Sequence, residues 1–325
     1  MAENLLEVNN LKTYFFTRSG VVKAVDDVSF VIKPSQTLGV VGESGCGKSV
    51  TALSIMRLIA TPPGKIVGGE INFNGENILE KNLDELTDLR GSQISMIFQD
   101  PMTSLNPVFT VGYQIAETVK RHHKDISNEQ AWKRSVEMLD LVRIPDAKKR
   151  AKSYPHEFSG GMRQRVMIAI ALACNPKLLV ADEPTTALDV TIQAQVLELM
   201  SGLSKEFGTA VMLITHDLGV VAGTCQHVNV MYAGHVVESA PVKQIFATPA
   251  HPYTVGLLRS IPRMDEKHGS SLTPIGGQPP DLSREIIGCP YAPRCPKVQN
   301  RCRQERPELK PVGRGEQVAA CFYPD

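Results

Sequence analysis

A chain of 325 residues, 42% hydrophobic and 21% charged, has room for one large domain with an appendix, or for two domains. Lys and Arg number 35 against 34 Asp and Glu, so there is no basic field to draw duplex nucleic acid. No apolar run reaches the roughly 18 residues needed to cross a bilayer, no secretory pattern is visible, and a cytoplasmic location is expected.

Residues 5–16 and 21–32 alternate or carry β-branched and aromatic side chains, which predicts paired strands. TLGVVG (37–42) predicts a short buried strand, and KSVTALSIMRLI (48–59) a helix with apolar residues at helical spacing. GGEINFNGENI (68–78) and ISMIFQD (94–100) predict further strands. Residues 111–174 read almost wholly as helix, with Ser127 and Gln130 at capping-box spacing inside them. KLLVADEP (177–184) and AVMLITHD (210–217) predict buried strands on either side of the helix TIQAQVLELMSGLSKEF. Strands alternating with helices, around an inserted helical block, indicate an α/β fold with a parallel core. From about residue 240, prolines at 241, 249, 252, 262, 274, 279, 280, 290, 293 and 296 break up regular structure, and a domain boundary is expected there.

GESGCGKS (42–49) fits G-x-x-x-x-G-K-[ST] between a strand and a helix, the context a phosphate-binding loop requires. Gly42, Gly45 and Gly47 let backbone N–H groups wrap phosphates, with Ser44, Cys46 and Val50 in the same wrap. Lys48 is expected on the β and γ oxygens and Ser49 on Mg²⁺, at the positive end of a helix. LLVADEP ends a buried strand in Asp182, a ligand for the Mg²⁺ shell, and then Glu183, placed to polarise an attacking water. A pair of acids at a strand end is ordinarily a solvated terminus; in a phosphate-loop protein that reading gives way.

FSGGMRQR (158–165) completes a set. With FQDP (98–101), LLVADEP, TALD (186–189) and ITHD (214–217), it makes residues 1–240 resemble an ATP-binding-cassette (ABC) ATPase, motif by motif and in order. Ser159, Gly160 and Gly161 offer a hydroxyl and bare amides at a helix N-terminus, a second anion site. The resemblance implies two cassettes paired head to tail around two ATP molecules. It implies a nucleotide-binding domain of phosphate-loop parallel core, antiparallel β-subdomain and helical subdomain, the last at about 100–174. It also implies that Gln99 contacts Mg²⁺ or the attacking water, that Asp189 communicates across the dimer, and that His216 holds the γ-phosphate. Adenine stacking falls to one of Tyr14, Phe15 and Phe16, with Phe15 favoured by position.

MIFQDPMTSLNPVFTVGYQI (96–115), HPYTVGLL (251–258) and the terminal cysteines resemble, more narrowly, the ATPase subunits of bacterial dipeptide/oligopeptide importers. That resemblance implies a sister ATPase in a heterodimer, two membrane permeases, an extracytoplasmic peptide-binding protein and no nucleic acid. The chain is then expected as a peripheral protein on the cytoplasmic face of the inner membrane. Nickel, heme or another small solute is the alternative cargo, and a non-transport cassette acting on nucleic acid the alternative class.

Four of seven cysteines fall in the last 37 residues, where even scatter would put about one. Cys46, Cys174 and Cys225 read as small buried residues. Cys289-x5-Cys295-x6-Cys302-x18-Cys321 contains no C-x₂₋₄-C pair of the zinc type, and thiolates on proline-flanked loops suit a larger cubane. The importer resemblance implies a 4Fe–4S cluster on a small irregular C-terminal domain over 241–325. Zinc, disulfides and free thiols stay open as alternatives, as do staple and sensor as its purpose. The excess of Arg and Lys over 294–314 reads as a solvated or permease-facing loop.

Overall fold

The computed structural model describes residues 4–186, 188–260, 274–313 and 315–325; Ala187 of TALD and Pro262 of the proline series lie outside the described residues. The chain divides into two compact units: one built on Lys33–Gln36 and Glu80–Leu213, the other on Leu6–Ile32, Thr37–Leu79 and Ile214–Asp325.

In chain order come β1 (Leu6–Thr17), β2 (Gly20–Ile32), β3 (Thr37–Val41), α1 (Lys48–Ile55), β4 (Gly64–Phe73) and β5 (Glu76–Asn77). Next are α2 (Leu83–Leu89), β6 (Ile94–Ile97), α3 (Pro101–Ser104), α4 (Val111–His122), α5 (Asn128–Leu141), α6 (Ala147–Arg150) and α7 (Gly160–Leu172). Then follow β7 (Leu178–Asp182), α8 (Val190–Phe207), β8 (Ala210–Thr215), α9 (Leu218–Thr224), β9 (His227–Tyr232) and β10 (His235–Pro241). The last are α10 (Val242–Ala247), α11 (Pro252–Arg259), α12 (Asn300–Gln304), β11 (Lys310–Pro311) and β12 (Val318–Ala319).

In the unit built on Glu80–Leu213, β6 and β7 pair in parallel and β7 also neighbours β8. All five residues of β7 are buried, which is what a continuous apolar run produces in a parallel sheet. The helical block is more divided than its composition predicts. Ser127 and Gln130 form the expected reciprocal cap at the start of α5, with bonds of 3.2 and 2.9 Å. Left-handed Arg143 and Asp146 follow the end of α5, Asp146 directly before α6, and Pro155 opens a 3₁₀ turn before α7. β6 stops three residues short of the predicted strand, because Phe98–Asp100 turn into the Pro101 helix.

The other unit holds an antiparallel sheet in the order β2-β1-β4-β5 and a mixed one in the order β11-β12-β10-β9-β3. β3 and β9 are parallel; β9, β10, β12 and β11 run antiparallel. The expectation of a small irregular C-terminal domain is corrected here. β12 adds to the edge of β10, and α10 and α11 are regular. Pro252 starts a helix rather than breaking one: it occupies the first turn of α11, where no N–H is needed, and His251 Nδ1 accepts from Tyr253 N–H at 3.0 Å. Glu238 of β10, wholly buried, accepts from the N–H groups of Ala250 and His251 and from Gln317 Nε2 at 2.7–2.8 Å. Tyr232, Tyr253 and Tyr291 pack on one another with ring centroids 4.6–5.4 Å apart, inside one core with Val228, Val230 and Ile245. Among the described residues, no helix is long and apolar enough to cross a membrane.

Candidate nucleotide site and cysteine pocket

The phosphate loop runs from the end of β3 to the start of α1. Gly42, Gly45 and Gly47 all have positive φ, at 155°, 78° and 106°. At two of them space as well as φ demands glycine. A Cβ at Gly42 would lie 2.2 Å from the Met231 carbonyl oxygen, and one at Gly47 2.4 Å from that of Ala24. Lys48 is buried, and its Nζ donates to the carbonyls of Gly42 (2.8 Å) and Glu43 (3.0 Å), which curls the loop around the ammonium. Ser44 and Gly45 are exposed at the loop's crest, while Ser49 and Val50 lie half-buried in the first turn of α1. Cys46 is buried as expected, and burial raises its thiol pKa; Cys174 and Cys225 are only partly buried. His216 lies in the same unit, exposed, just past the end of β8 and before Asp217, whose Oδ1 caps α9 through Gly219 N–H at 2.7 Å. Phe15 is half-buried in β1 opposite Val22 and Gly64, and Phe16 is 52% exposed.

The other unit carries the carboxylates. Asp182 ends β7, 6% exposed. Glu183 then takes a left-handed φ of 45°, strained for a residue with a side chain, and such strain is retained where the surroundings enforce it. Its Oε2 accepts from Gln99 Nε2 at 3.0 Å and from Thr186 Oγ1 at 2.9 Å. Gln99 and Glu183, 84 residues apart, are therefore brought together as one polar group. Ser159 caps α7, its Oγ accepting from Met162 N–H at 3.4 Å, and Gly160 is exposed beside it. Gly161 has a packing role too: a Cβ there would meet Ile192 Cγ2 at 2.6 Å. Asp189 caps α8 through Ile192 N–H at 3.0 Å.

The tail departs from expectation. The four terminal cysteines do not form a compact cluster: among the described residues, no group of three or more His, Cys, Asp or Glu is arranged to hold a metal ion. Instead Cys289, Cys295, Cys302 and Cys321 are spread around the wall of one pocket, with His251 and Tyr291. The Cys289 N–H to Cys302 carbonyl bond of 2.8 Å closes the segment between them into a loop. Four thiols share the wall with the His251 imidazole, and no carboxylate lines the pocket, which suits a thiophilic group better than a hard cation. Burial raises the thiols of Cys289 and Cys295, and that of Cys321 to about 11. The basic excess of the tail is also not simply solvated. Arg301 stacks on Phe322 and pairs with Glu305, Arg306 faces Asp26, and Arg294 is buried against Glu43. Glu43, Tyr253 and Arg294 were not singled out as site residues by sequence pattern, because Glu43 and Arg294 are 251 positions apart.

Phosphate loop, strand-end carboxylates and helix caps on this frame define the nucleotide-binding domain of an ABC ATPase. Residues 25–186 match the ABC transporter family, and residues 237–302 the C-terminal region of oligopeptide/dipeptide transporters. The chain is 54% identical to the oligopeptide transport ATP-binding protein OppD of Salmonella typhimurium, covering 99% of this chain and 95% of that one. It is 52% identical to the oligopeptide transport ATP-binding protein AppD of Bacillus subtilis, covering 98% and 97%. Among solved structures, the ATP-binding cassette MJ0796 in its dimeric post-hydrolysis state bound to ADP and Pi is similar, with 28% identity and a TM-score of 0.65. That match covers 73% of this chain and 98% of the cassette. The chain belongs to the family of ATP-binding subunits of oligopeptide/dipeptide ABC import transporters.

Proposed function

We propose that this chain is one of a heterodimeric pair of ATPases that power peptide import, working with two membrane permeases and an extracytoplasmic peptide-binding protein. The observation that carries this is the full-length likeness to peptide-transport ATP-binding proteins, which extends through the C-terminal region. Residues 1–240 are the ATPase domain and 241–325 the importer-type extension. The protein works at the cytoplasmic face of the inner membrane.

The amides from Gly42 to Val50 and the Lys48 ammonium hold the phosphates. Ser49, Gln99 and Asp182 are the groups that would hold Mg²⁺, which when bound offsets phosphate charge. Glu183, aimed by Gln99 and Thr186, takes the proton of the attacking water, and His216 orients the γ-phosphate. Phe15 stacks on adenine. Ser159, Gly160 and Gly161 face the nucleotide of the sister subunit, and Asp189 reports across that interface. Near Gln99, Met96, Phe98, Leu105, Met167 and Ile170 line an apolar pocket of about 370 Å³, with Phe98 39% exposed, which supports docking of a permease loop there.

Cys289, Cys295, Cys302 and Cys321 hold a 4Fe–4S cluster, and the pocket wall that the four thiols share supports it. The test of the whole reading is reconstitution with the permeases and sister ATPase in vesicles. Hydrolysis should rise on adding peptide-loaded binding protein and peptide should accumulate. Stimulation by nickel or heme carriers instead would reassign the cargo.

A further inference from the structure

Glu43, the residue after the first glycine of the phosphate loop, is held at every polar group it has. Its N–H donates to Tyr253 Oη at 2.9 Å. Its carbonyl accepts from Lys48 Nζ at 3.0 Å. Its carboxylate receives a two-pronged fork from Arg294, Nη1 to Oε2 at 2.6 Å and Nη2 to Oε1 at 2.9 Å. Arg294 is itself fully committed. Its side chain is 3% exposed, its Nε donates to the Gly276 carbonyl at 2.9 Å, and its remaining N–H groups reach Tyr232 Oη and the Ile275 carbonyl. A buried guanidinium with its donors satisfied in a planar fork resists displacement, and the geometry cannot be copied by lysine.

We propose that Arg294 and Tyr253 are positioning residues of the nucleotide site, which set the phosphate loop through Glu43 and so tie ATP affinity to the C-terminal extension. The chain of contacts is short. Arg294 fixes the Glu43 side chain, Tyr253 fixes its amide, and the Glu43 carbonyl helps hold the Lys48 ammonium that meets phosphate. Arg294 directly precedes Cys295 of the thiol pocket, and Tyr253 packs on Tyr291 of the same pocket, with centroids 5.4 Å apart. The loop of the ATPase and the importer-specific tail are thus one mechanical piece.

The experiment titrates full-length chain with a fluorescent ATP analogue and measures KM and kcat for ATP in the assembled transporter. R294Q and E43Q should each raise the dissociation constant about tenfold, and the double variant no further, since both remove one interaction. R294K should not rescue. Y253F keeps the buried ring and removes only the bond to the Glu43 amide; it should weaken binding about threefold. KM should rise with kcat at saturating ATP within about twofold, because the contact acts on binding and not on chemistry. R294Q and Y253F that unfold at lower temperature yet bind the analogue like wild type would overturn the proposal and leave Arg294 a staple. Should R294Q fail to fold, Y253F decides alone: unchanged affinity overturns the proposal.

Discussion

Gln99 and Glu183 meet at 3.0 Å, amide N–H to carboxylate, although one precedes the helical block and the other follows it. Thr186 adds a second donor at 2.9 Å, so the carboxylate is aimed by two groups and by a backbone held at φ 45°. A carboxylate set this firmly should tolerate replacement by its isostere, and the proposed role of base makes the consequence specific. E183Q is expected to keep ATP affinity within about threefold and to lower turnover of the assembled transporter on the order of 10²–10⁴-fold. Nucleotide titration and steady-state phosphate release measure the two; wild-type release would remove Glu183 from the role of base.

Gly160 and Gly161 are adjacent and should behave oppositely. At Gly161 an added Cβ lands 2.6 Å from Ile192 Cγ2, so G161A should lower stability by about 1–3 kcal/mol, read as a drop in unfolding midpoint of the isolated chain. At Gly160 a Cβ meets only Leu188 Cδ2 at 3.7 Å, ordinary contact. G160D should fold and bind ATP as before; if Gly160 has the proposed cross-subunit role, turnover of the assembled transporter should collapse, because the added carboxylate would then face the sister subunit's phosphate. Equal loss of ATP binding by the single chain would argue against that cross-subunit role.

His235 sets an acid limit. Burial and then Arg306 push its imidazole down from 6.5 to about 4, against the opposing pull of Asp26 and Asp27. The unfolded chain therefore takes up a proton that the folded one refuses between those two values. His235's share of stability should fall as pH drops from 6.5 and level off below about 4, by roughly 3 kcal/mol. Asp26 is pushed up by burial but is held below 3.8 overall by Tyr14, His235 and Arg306, so it titrates beneath that window. Buried His251 is lowered to about 4 as well and contributes over the same range, so H235Q should reduce the slope between pH 6.5 and 4 in chemical unfolding by about half and not abolish it. An unchanged slope would mean that His235 is not the group responsible.

The thiol pocket makes a colour prediction. On the proposed 4Fe–4S reading, protein purified without oxygen should be brown, with iron and acid-labile sulfide in equal amounts. Serine at Cys289, Cys295, Cys302 or Cys321 should bleach it, since a cubane needs all four thiolates. Serine at Cys174 or Cys225, away from the pocket lining, should not. Colourless anaerobic protein carrying one zinc per chain would replace the cluster with a single ion.

Local signals in the chain determined the loop, the buried strand and a helix cap. The glycine spacing of GESGCGKS, the buried run before Asp182 and the Ser127–Gln130 cap each act over a few residues, so each was legible without a fold. Pro252 was not: the same residue breaks a helix interior and opens a first turn, and only the His251 cap decides which. Nor did spacing show that the four terminal cysteines would ring a pocket rather than converge. The Gln99–Glu183 contact and the Glu43–Arg294 fork are long-range pairings, set by how strands stack and where loops land. A charge on one segment carries no mark of its distant partner. The tertiary structure alone made Arg294 a buried anchor of the phosphate loop rather than one more basic residue in a tail.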